Sequence, residues 1–325
     1  MQKPVLTYSH SLLLPLTRSC GIHCSYCTFK QNGGTLLTFD EIENELQQHA
    51  ASGICEVVVT AGQSLEKLPE IMEQLTKQGY TSYTEYVRDT CHLIIENGLL
   101  PTLDIGPMSY AQLEALAPYM ASMTLFLENI NNDFVEAIQK GKSIDERMEC
   151  ISDAGLLQIP VTTGVLLGAG ESIDDGFATL GAIEELNEKY RHIQSVVFQS
   201  VWSDGHFQAS GVSAEELQIL IKYCKKVMPG VAVSVPIQSS CPWLEENVTG
   251  VDDIGHIYEG TDGIDWVHAF PKLTEIERML VKKGYDVKAR FPIFEGMYKR
   301  ARISENLQTA MNEWINKKEY ISYRN

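Results

Sequence analysis

The sequence has few basic residues and no long hydrophobic run. Its 26 lysines and arginines stand against 43 aspartates and glutamates, a net charge of −17, which argues against nucleic acid or an anionic membrane as a partner. No apolar stretch reaches the length of a transmembrane helix, and the chain begins without the pattern of a signal peptide. No linker, low-complexity tract or charge block divides the 325 residues. We therefore expect a single domain and a cytoplasmic location.

Three of the eight cysteines are concentrated in one short segment near the start of the chain. Cys20, Cys24 and Cys27 form a C-x3-C-x2-C run, with Tyr26 directly before the third thiol. An iron–sulfur cluster of four irons needs a ligand on each iron, so three thiolates would leave one iron open to a non-protein ligand. The spacing therefore predicts a 4Fe-4S cluster held by Cys20, Cys24 and Cys27.

A structural zinc site is the alternative for this segment. His23 could serve as a fourth ligand, but it lies between two of the cysteines, and no second cysteine or histidine pair follows at zinc-finger spacing. Disulfides are less expected because the other five cysteines are scattered singly. Cys241 falls in a turn-like SSCPW segment and could lie at the mouth of a pocket. The remaining cysteines lie in apolar-periodic segments and are expected to be small buried hydrophobes: Cys55, Cys91, Cys150 and Cys224.

Short strand-like runs alternate with helical patterns along the whole chain, a rhythm typical of parallel β/α units. Thr38 and Glu41 form a capping box that predicts a helix ending near Gly53. Further helices are expected at 109–119, 144–154, 173–189, 213–227 and 272–283. Strands are expected at LLLPLT, 54–60, 99–105, 122–128, 158–167, 192–201 and 231–236, with weaker ones near Ile254 and Trp266.

Taken as a series of eight β/α units, with one of the two weaker strands as the eighth, these segments predict an α/β fold, a TIM-like (β/α)8 barrel that forms a single domain over residues 1–325. The cysteine loop would occupy 18–34, and a helical tail would occupy about 300–325. In this fold, ligands bind at the carboxyl ends of the strands. The residues that follow the strands are therefore the candidates for a functional site.

The cysteine segment, with Tyr26 in place and a strand just upstream, resembles that of the radical S-adenosylmethionine (radical SAM) enzymes. In that superfamily the methionine amino and carboxylate groups bind the open iron, and reductive cleavage yields a 5'-deoxyadenosyl radical. The resemblance implies a 4Fe-4S cluster and S-adenosylmethionine as cofactors, together with an external one-electron donor of the ferredoxin or flavodoxin type. A protein that kept the cluster but lost catalysis is a less favoured alternative.

The same resemblance implies cofactor-binding residues at the strand ends. Gln63 stands where many members carry a glutamate for the methionine amino group, and its amide oxygen could still accept a hydrogen bond, without charge assistance. Glu128 would bind the ribose hydroxyls or the methionine ammonium. Arg147 could form a bidentate hydrogen bond to the methionine carboxylate. A solvated Glu128 and a surface Arg147 are the structural alternatives. The expected set also includes Tyr26, Gly164 and Leu166.

Segments along nearly the whole chain resemble one branch of the superfamily, the 7,8-didemethyl-8-hydroxy-5-deazariboflavin (FO) synthases. In sequence order they are LPLTRSCGIHCSYCTFK, ENGLLPTLDIG, ASMTLFLE, IPVTTGVLLGAGES, HIQSVVFQ, GVDDIGHI and ARFPIFEGMY. The resemblance implies the subunit that closes the deazaflavin ring. This subunit abstracts hydrogen from an adduct of tyrosine and a ribityl-diaminouracil, with cyclisation and loss of ammonia, a lyase-type reaction. A second radical SAM subunit would supply the adduct.

The departures from this branch are concentrated where the substrate would bind. The family's PHTNPG becomes PTLDIG, which contains Thr102 and Asp104, and its IQNF becomes FQSV, which contains Gln199. After the seventh strand PPNL becomes PIQS, followed by CPW, which places Gln238 and Trp243. These five residues are the expected lining of a pocket for a polar, partly aromatic small molecule. Because a site built for specific hydrogen bonds rejects analogues, a sister enzyme acting on a different molecule is the alternative function.

Overall fold

The structure is a computed structural model that describes residues 3–49, 52–201, 203, 207–237, 248–258, 271–298, 301 and 303–316. Within these ranges eight parallel strands form a closed barrel. They are β1 (Val5–Thr17), β3 (Glu56–Ala61), β4 (Leu100–Asp104), β5 (Ser122–Thr124), β7 (Val161–Leu167), β8 (Ile193–Ser200), β9 (Ala232–Ser234) and β10 (Asp253–Tyr258). Two short strands, β2 (His23–Cys24) and β6 (Gln139–Lys140), pair with each other outside the barrel.

The long first strand closes the barrel because it pairs on both of its edges. Residues 11–17 of β1 pair with β3, and residues 7–11 pair with β10. An additional strand, β11 (Asp286–Ala289), pairs with residues 5–8 of β1. All these pairings are parallel, so the carboxyl ends of the strands meet at one mouth of the barrel.

The strands are buried on both faces, as expected for parallel strands covered by helices. All six residues of β3, EVVVTA, are buried. The β-branched valines suit such a strand because they pack well on a pleated surface. Glu56 is a charged residue in this buried run, and it is fully buried. A carboxylate in such a position requires hydrogen-bond or charge partners inside the barrel.

Helices alternate with the strands and cover the outside of the barrel. In chain order they are α1 (Phe39–His49), α2 (Pro69–Lys77), α3 (Tyr83–Glu96), α4 (Tyr110–Leu116), α5 (Asn132–Ile138), α6 (Ile144–Leu156), α7 (Ile173–Tyr190), α8 (Ala214–Val227), α9 (Leu273–Lys282), α10 (Glu295–Tyr298) and α11 (Glu305–Asn316). Ser109, Ser172 and Ser213 each form a capping box at a helix start, which satisfies backbone N–H groups that lack a partner within the helix. These local signals are why the helix starts could be predicted.

The barrel confirms the predicted fold class, and the helices and strands follow the expected alternation. Thr38 and Glu41 form the reciprocal bonds of the predicted capping box at the start of α1. β11 was not expected, and the strand predicted near Trp266 lies outside the described residues. Within the predicted tail, α11 packs on α3, and Trp314 Nε1 donates to the carbonyl of Gly98, just after α3, at 2.7 Å. None of the helices in the described ranges combines the length and hydrophobicity needed to cross a bilayer.

Candidate active site at the barrel mouth

The cysteine loop begins at the carboxyl end of β1. Hydrogen bonds to its backbone hold it in place. The Arg18 side chain donates to the carbonyl oxygens of Thr28 and Phe29, at 3.0 and 2.8 Å. The β2–β6 pairing ties Cys24 to Gln139, a residue that follows α5. The loop is therefore held from both ends by hydrogen bonds.

A second contact joins the loop to the end of β3. The Gln63 N–H donates to Cys20 Sγ at 3.3 Å, and the Gly21 N–H donates to the Gln63 carbonyl at 2.8 Å. A side chain at Gly62 would overlap the Ser19 carbonyl oxygen and the Cys20 side chain. Glycine at this position is therefore what lets the β3 turn approach the first cysteine.

The three thiols of the loop line one cavity of about 240 Å³ at the mouth of the barrel. We call it the mouth cavity. Cys20 and Cys24 are half-buried, and Cys27 is exposed. The wall opposite the loop is formed by strand ends, including Asp104, Glu128 and Gln199. The cysteine loop and the strand ends thus face a common space, as expected for a barrel active site.

The arrangement fits an iron–sulfur cluster better than a single zinc ion. All three thiols are free, and an N–H already points at one sulfur, a contact typical of cluster ligands. In the described part of the chain, no three His, Cys, Asp or Glu side chains are grouped to hold one metal ion. His23 is exposed and lies outside the lining of the mouth cavity. Burial raises the pKa of Cys24 to about 11, so its thiolate form calls for a metal cation as partner.

Glu128 is the most strongly anchored charged group of the mouth cavity. Its Oε2 accepts a hydrogen bond from Tyr26 Oη at 3.0 Å and further bonds from Gln139 Nε2 and Lys142 Nζ. Burial by itself would raise the pKa of this carboxyl, but the charges of Lys142 and Arg147 bring it below its ordinary value. Glu128 is therefore an ionised carboxylate whose position is fixed by its partners.

The backbone at Glu128 is in the left-handed region, with φ of 67°. This conformation is uncommon for a residue other than glycine and costs roughly 1–3 kcal/mol. It is held by two strand-like bonds, from the Glu128 N–H to the Gly164 carbonyl at 2.8 Å and from the Leu166 N–H to the Glu128 carbonyl at 3.0 Å. Such strain is concentrated at functional sites in proteins, which supports a ligand-binding role for this residue.

The cofactor residues predicted from the sequence fall into two groups. Gln63, Tyr26, Glu128 and Leu166 line the mouth cavity. Gly164 does not line it: a side chain there would overlap the Val197 carbonyl oxygen of the neighbouring strand. Glycine at this position thus permits the close approach of β7 and β8.

Arg147 also lies outside the lining of the mouth cavity. It is only 3% exposed and donates from its guanidinium to the Phe126 carbonyl, two residues before Glu128. The side chain is therefore neither on the surface nor open to the cavity. In this structure Arg147 supports the chain segment that carries Glu128, and direct binding of a methionine carboxylate stays a prediction.

The predicted substrate residues are likewise divided. Asp104 and Gln199 line the mouth cavity. Thr102 lies deeper in β4, where its hydroxyl contacts Glu56 and lies 3.0 Å from Ser122 Oγ, and it is outside that lining. Gln238 and Trp243, together with Cys241, lie outside the described residues.

Several residues of the site carry no recognisable signal in the sequence. Lys142 and Gln139 reach Glu128 from the segment after α5, and neither is part of a motif. Their contribution depends on the two-residue pairing of β2 with β6, which is too short to leave a periodic pattern. Glu56, by contrast, could have been noticed, because a carboxylate within a valine-rich strand is unusual.

Asp104 provides a pH-dependent test of the site. Burial raises the pKa of this carboxyl to about 6, above the usual value of about 3.9 for an unfolded chain. The protonated form is favoured by folding, so this contribution to stability is complete below about pH 4 and is lost as the pH rises through about 6. Asp104→Asn is therefore expected to raise the free energy of unfolding at about pH 8 by up to about 3 kcal/mol, and to leave it unchanged below about pH 4.

Urea unfolding of the protein before cluster reconstitution, followed by circular dichroism at both pH values, measures this effect. Asp175→Asn is the matched control, since the Asp175 carboxylate accepts bonds from Ser172 and Asn131 at the start of α7. Burial acts to raise the pKa of Asp175, but these hydrogen bonds bring it below its ordinary value. Because the ionised carboxylate therefore stabilises the fold, Asp175→Asn should lower the free energy of unfolding at high pH. Equal responses of the two variants would contradict the assignment of a raised pKa to Asp104.

Comparisons with known proteins agree with this geometry. Residues 14–181 match the model of the Radical SAM superfamily. The 7,8-didemethyl-8-hydroxy-5-deazariboflavin synthase of Methanococcoides burtonii is 32% identical over 313 residues, which cover 93% of this chain and 93% of the relative. The synthase of the same name from Methanosarcina mazei is 33% identical over 311 residues, 93% of this chain and 92% of the relative.

Solved structures share the fold at much lower sequence identity. The FeFe-hydrogenase maturase HydG from Carboxydothermus hydrogenoformans superimposes with a TM-score of 0.71 and 14% identity, covering 96% of this chain and 73% of that chain. Methylornithine synthase (PylB) gives a TM-score of 0.66 and 15% identity, covering 87% and 83%. These two structures show the shared fold. The matched superfamily model and the two synthases show that the chain belongs to the Radical SAM superfamily and, within it, to the family of the 7,8-didemethyl-8-hydroxy-5-deazariboflavin synthases.

Proposed function

We propose that this chain is the radical SAM enzyme that completes the ring system of 7,8-didemethyl-8-hydroxy-5-deazariboflavin. The observation that carries the proposal is similarity of 32–33% identity over 93% of the chain to synthases of that name. The mouth cavity supports it, because three free thiols and an ionised glutamate face one space at the strand ends. The sister enzyme considered from the sequence is not favoured, since the relatives share a single synthase name.

The superfamily uses a 4Fe-4S cluster with S-adenosylmethionine, which together supply a 5'-deoxyadenosyl radical for hydrogen abstraction. Cys20, Cys24 and Cys27 would hold the cluster. Glu128 and Gln63 would orient the polar groups of the cosubstrate, and Tyr26 would keep the Glu128 carboxylate in place through its hydroxyl. The Leu166 side chain would exclude water from the same space.

The substrate would lie above Asp104 and Gln199, which line the mouth cavity from β4 and β8. We propose a lyase-type reaction in which hydrogen abstraction is followed by cyclisation and release of ammonia, with S-adenosylmethionine, cleaved to methionine and 5'-deoxyadenosine, as the two-electron oxidant. Asp104 is suited to proton transfer at this stage because its pKa of about 6 lies close to neutral pH.

The partners of this chain would be a second radical SAM subunit that supplies the tyrosine–uracil adduct and a ferredoxin or flavodoxin as electron donor. A reducing cytoplasm is the compartment that an open iron cluster requires.

The test is synthesis of the fluorescent product. The chain, reconstituted with iron and sulfide without oxygen, is incubated with tyrosine, the ribityl-diaminouracil, the second subunit, S-adenosylmethionine and dithionite. Deazaflavin fluorescence is expected, and it should be absent when S-adenosylmethionine or this chain is omitted. Steady formation of 5'-deoxyadenosine without any fluorescent product would overturn the proposed reaction while retaining the radical SAM chemistry.

Glu128 gives a second prediction, on cofactor binding. Glu128→Gln keeps the shape of the side chain but removes its charge, and it is expected to weaken S-adenosylmethionine binding by about 1–3 kcal/mol, the range for losing a charged hydrogen-bond partner. Calorimetric titration of the reconstituted protein measures the affinity. The control is Asp175→Asn, the same change of carboxylate to amide outside the lining of the mouth cavity, which should leave the affinity unchanged. Wild-type affinity in Glu128→Gln would remove this residue from the cofactor site.

A further inference from the structure

A second, smaller cavity lies deeper in the barrel and adjoins the mouth cavity. Its volume is about 90 Å³, and Asp104, Phe126 and Gln199 line both spaces. We call it the inner chamber. Its other lining residues come from seven of the eight barrel strands and from two neighbouring segments: Leu13, Val58, Thr124, Thr162, Ser195, Val197, Ser234, Pro236, Asp253, Gly255, His256, Tyr258 and Arg290.

Three polar atoms of the inner chamber are buried without a hydrogen-bond partner among the described residues. They are Thr124 Oγ1, Ser195 Oγ and Gln199 Oε1, in residues that are 7%, 1% and 4% exposed. A buried polar atom that lacks a partner costs roughly 1–3 kcal/mol, and native proteins contain few of them. Three on the wall of one cavity indicate a space built to receive hydrogen-bonding groups from a ligand.

Apart from Asp104, whose carboxyl can only add negative charge, the charged groups around the inner chamber are already compensated. Arg290 donates to both oxygens of Asp253, at 2.5 and 3.1 Å. Glu56 is 3.3 Å from His256 Nε2 and also accepts a 2.9 Å bond from Ser11. Burial alone would raise the pKa of Glu56, but His256 and other partners bring it to about 2. Because no positive charge is in excess, the chamber does not favour a phosphate or a carboxylate.

The available groups favour a neutral ligand that bears several hydroxyls. The hydroxyls of Thr124 and Ser195 can donate or accept, and Gln199 Oε1 can only accept. A cavity of about 90 Å³ has room for about three groups of the size of a water molecule, at about 30 Å³ each. A ribityl chain carries about four hydroxyl groups on one unbranched carbon chain, so its terminal hydroxyls match this size and this chemistry, while the part next to the ring lies in the adjoining mouth cavity.

We propose that the inner chamber binds the ribityl chain of the substrate, with Thr124, Ser195 and Gln199 as its specificity-determining residues. The inference rests on the proposed function, since a deazariboflavin is what carries such a chain. The aromatic ring system then stays in the mouth cavity, between Asp104 and the cysteine loop. The chain acts as an anchor that fixes the depth of the ring relative to the cofactor.

The test compares two ligands that differ only in this chain. Holoenzyme is titrated anaerobically with 7,8-didemethyl-8-hydroxy-5-deazariboflavin and with the same chromophore carrying a methyl group in place of the ribityl chain, and the deazaflavin fluorescence is followed. The ribityl ligand should bind about a hundredfold more tightly, since a site built for hydroxyls rejects an analogue that lacks them. Ser195→Ala and Thr124→Val should each weaken binding of the ribityl ligand about tenfold and leave binding of the methyl ligand unchanged.

Stability of the unliganded variants separates this role from a structural one. Because each variant removes a buried polar atom that has no partner, it should be at least as stable as the wild type in urea. Thr90→Val is the matched control: Thr90 is fully buried on α3, and its hydroxyl donates to the Tyr86 carbonyl at 2.9 Å. This control should lose stability and keep the hundredfold preference for the ribityl ligand.

The outcomes distinguish the two proposals. Equal binding of both ligands by the wild type, with no effect of Ser195→Ala or Thr124→Val, would overturn the inner chamber as the ribityl site and leave the proposed function standing. Failure of the wild type to bind either ligand would count against the proposed function itself. Loss of stability in both variants without any change in ligand preference would identify the hydroxyls as structural and overturn the inference.

Discussion

Replacing any one of Cys20, Cys24 and Cys27 with alanine is expected to abolish cleavage of S-adenosylmethionine. Each thiolate would be the protein ligand of one iron, and the part of the chain that the structure describes contains no further cysteine in the mouth cavity to take its place. Iron and sulfide content after anaerobic reconstitution, and 5'-deoxyadenosine formed after addition of dithionite, measure the effect. Both should fall to the level of a sample that was not reconstituted.

The matched control is Cys224→Ala, because Cys224 is fully buried on α8, away from the mouth cavity. Burial raises the pKa of its thiol to about 12, so it behaves as an inert apolar side chain. This variant should keep its iron and its cleavage activity. A variant of the loop that still bound about four irons and formed 5'-deoxyadenosine would contradict the assignment of the cluster ligands.

The largest effect on stability is expected from Arg290→Leu. Arg290 is 5% exposed and lies against Asp253, which is fully buried and also accepts a 2.6 Å bond from Thr7 Oγ1. Removing one partner of a buried ion pair leaves an uncompensated charge and typically costs about 3–5 kcal/mol. The free energy of unfolding, measured in urea at neutral pH, should fall by about that amount.

Two further variants sharpen this test. Arg88→Leu makes the same substitution in a surface ion pair, in which Arg88 and Asp89 are 43% and 39% exposed, and should cost less than about 1 kcal/mol. Arg290→Leu combined with Asp253→Asn should recover part of the lost stability, because the uncompensated carboxylate is then gone. Equal losses for Arg290→Leu and Arg88→Leu would show that the buried pair is not a principal determinant of stability.

The alternation of strands and helices could be predicted because it depends on neighbouring residues. The capping boxes at Thr38 and Ser172, for example, involve bonds that span only three residues, and the valine-rich run of β3 gives a strand from its composition alone. β11 was missed since its four residues, DVKA, are half-buried or exposed. Such a strand is defined by its partner β1 and not by an apolar pattern of its own.

Whether a predicted site residue lines the mouth cavity or lies below it depends on how far along its strand the residue stands. Thr102 and Asp104 are two residues apart on β4, and both were expected in the substrate pocket. Residues two apart on a strand point to the same side but are separated by about 6.6 Å along it. Asp104 therefore lines the mouth cavity, whereas Thr102 lies at the level of Glu56. A sequence pattern gives the side of a strand, and only the register between strands gives the depth.

The sequence by itself determined the cysteine loop, the parallel barrel and the mouth at the strand ends, because each follows from spacing or periodicity within short stretches of chain. Tertiary structure alone decided that Lys142 pairs with Glu128, that Arg147 is buried and donates to the Phe126 carbonyl, and that polar atoms from β8 and the end of β5 line one inner chamber. These residues are far apart in the sequence. They meet only because closure of the barrel brings eight strands, each with its own register, around a common centre.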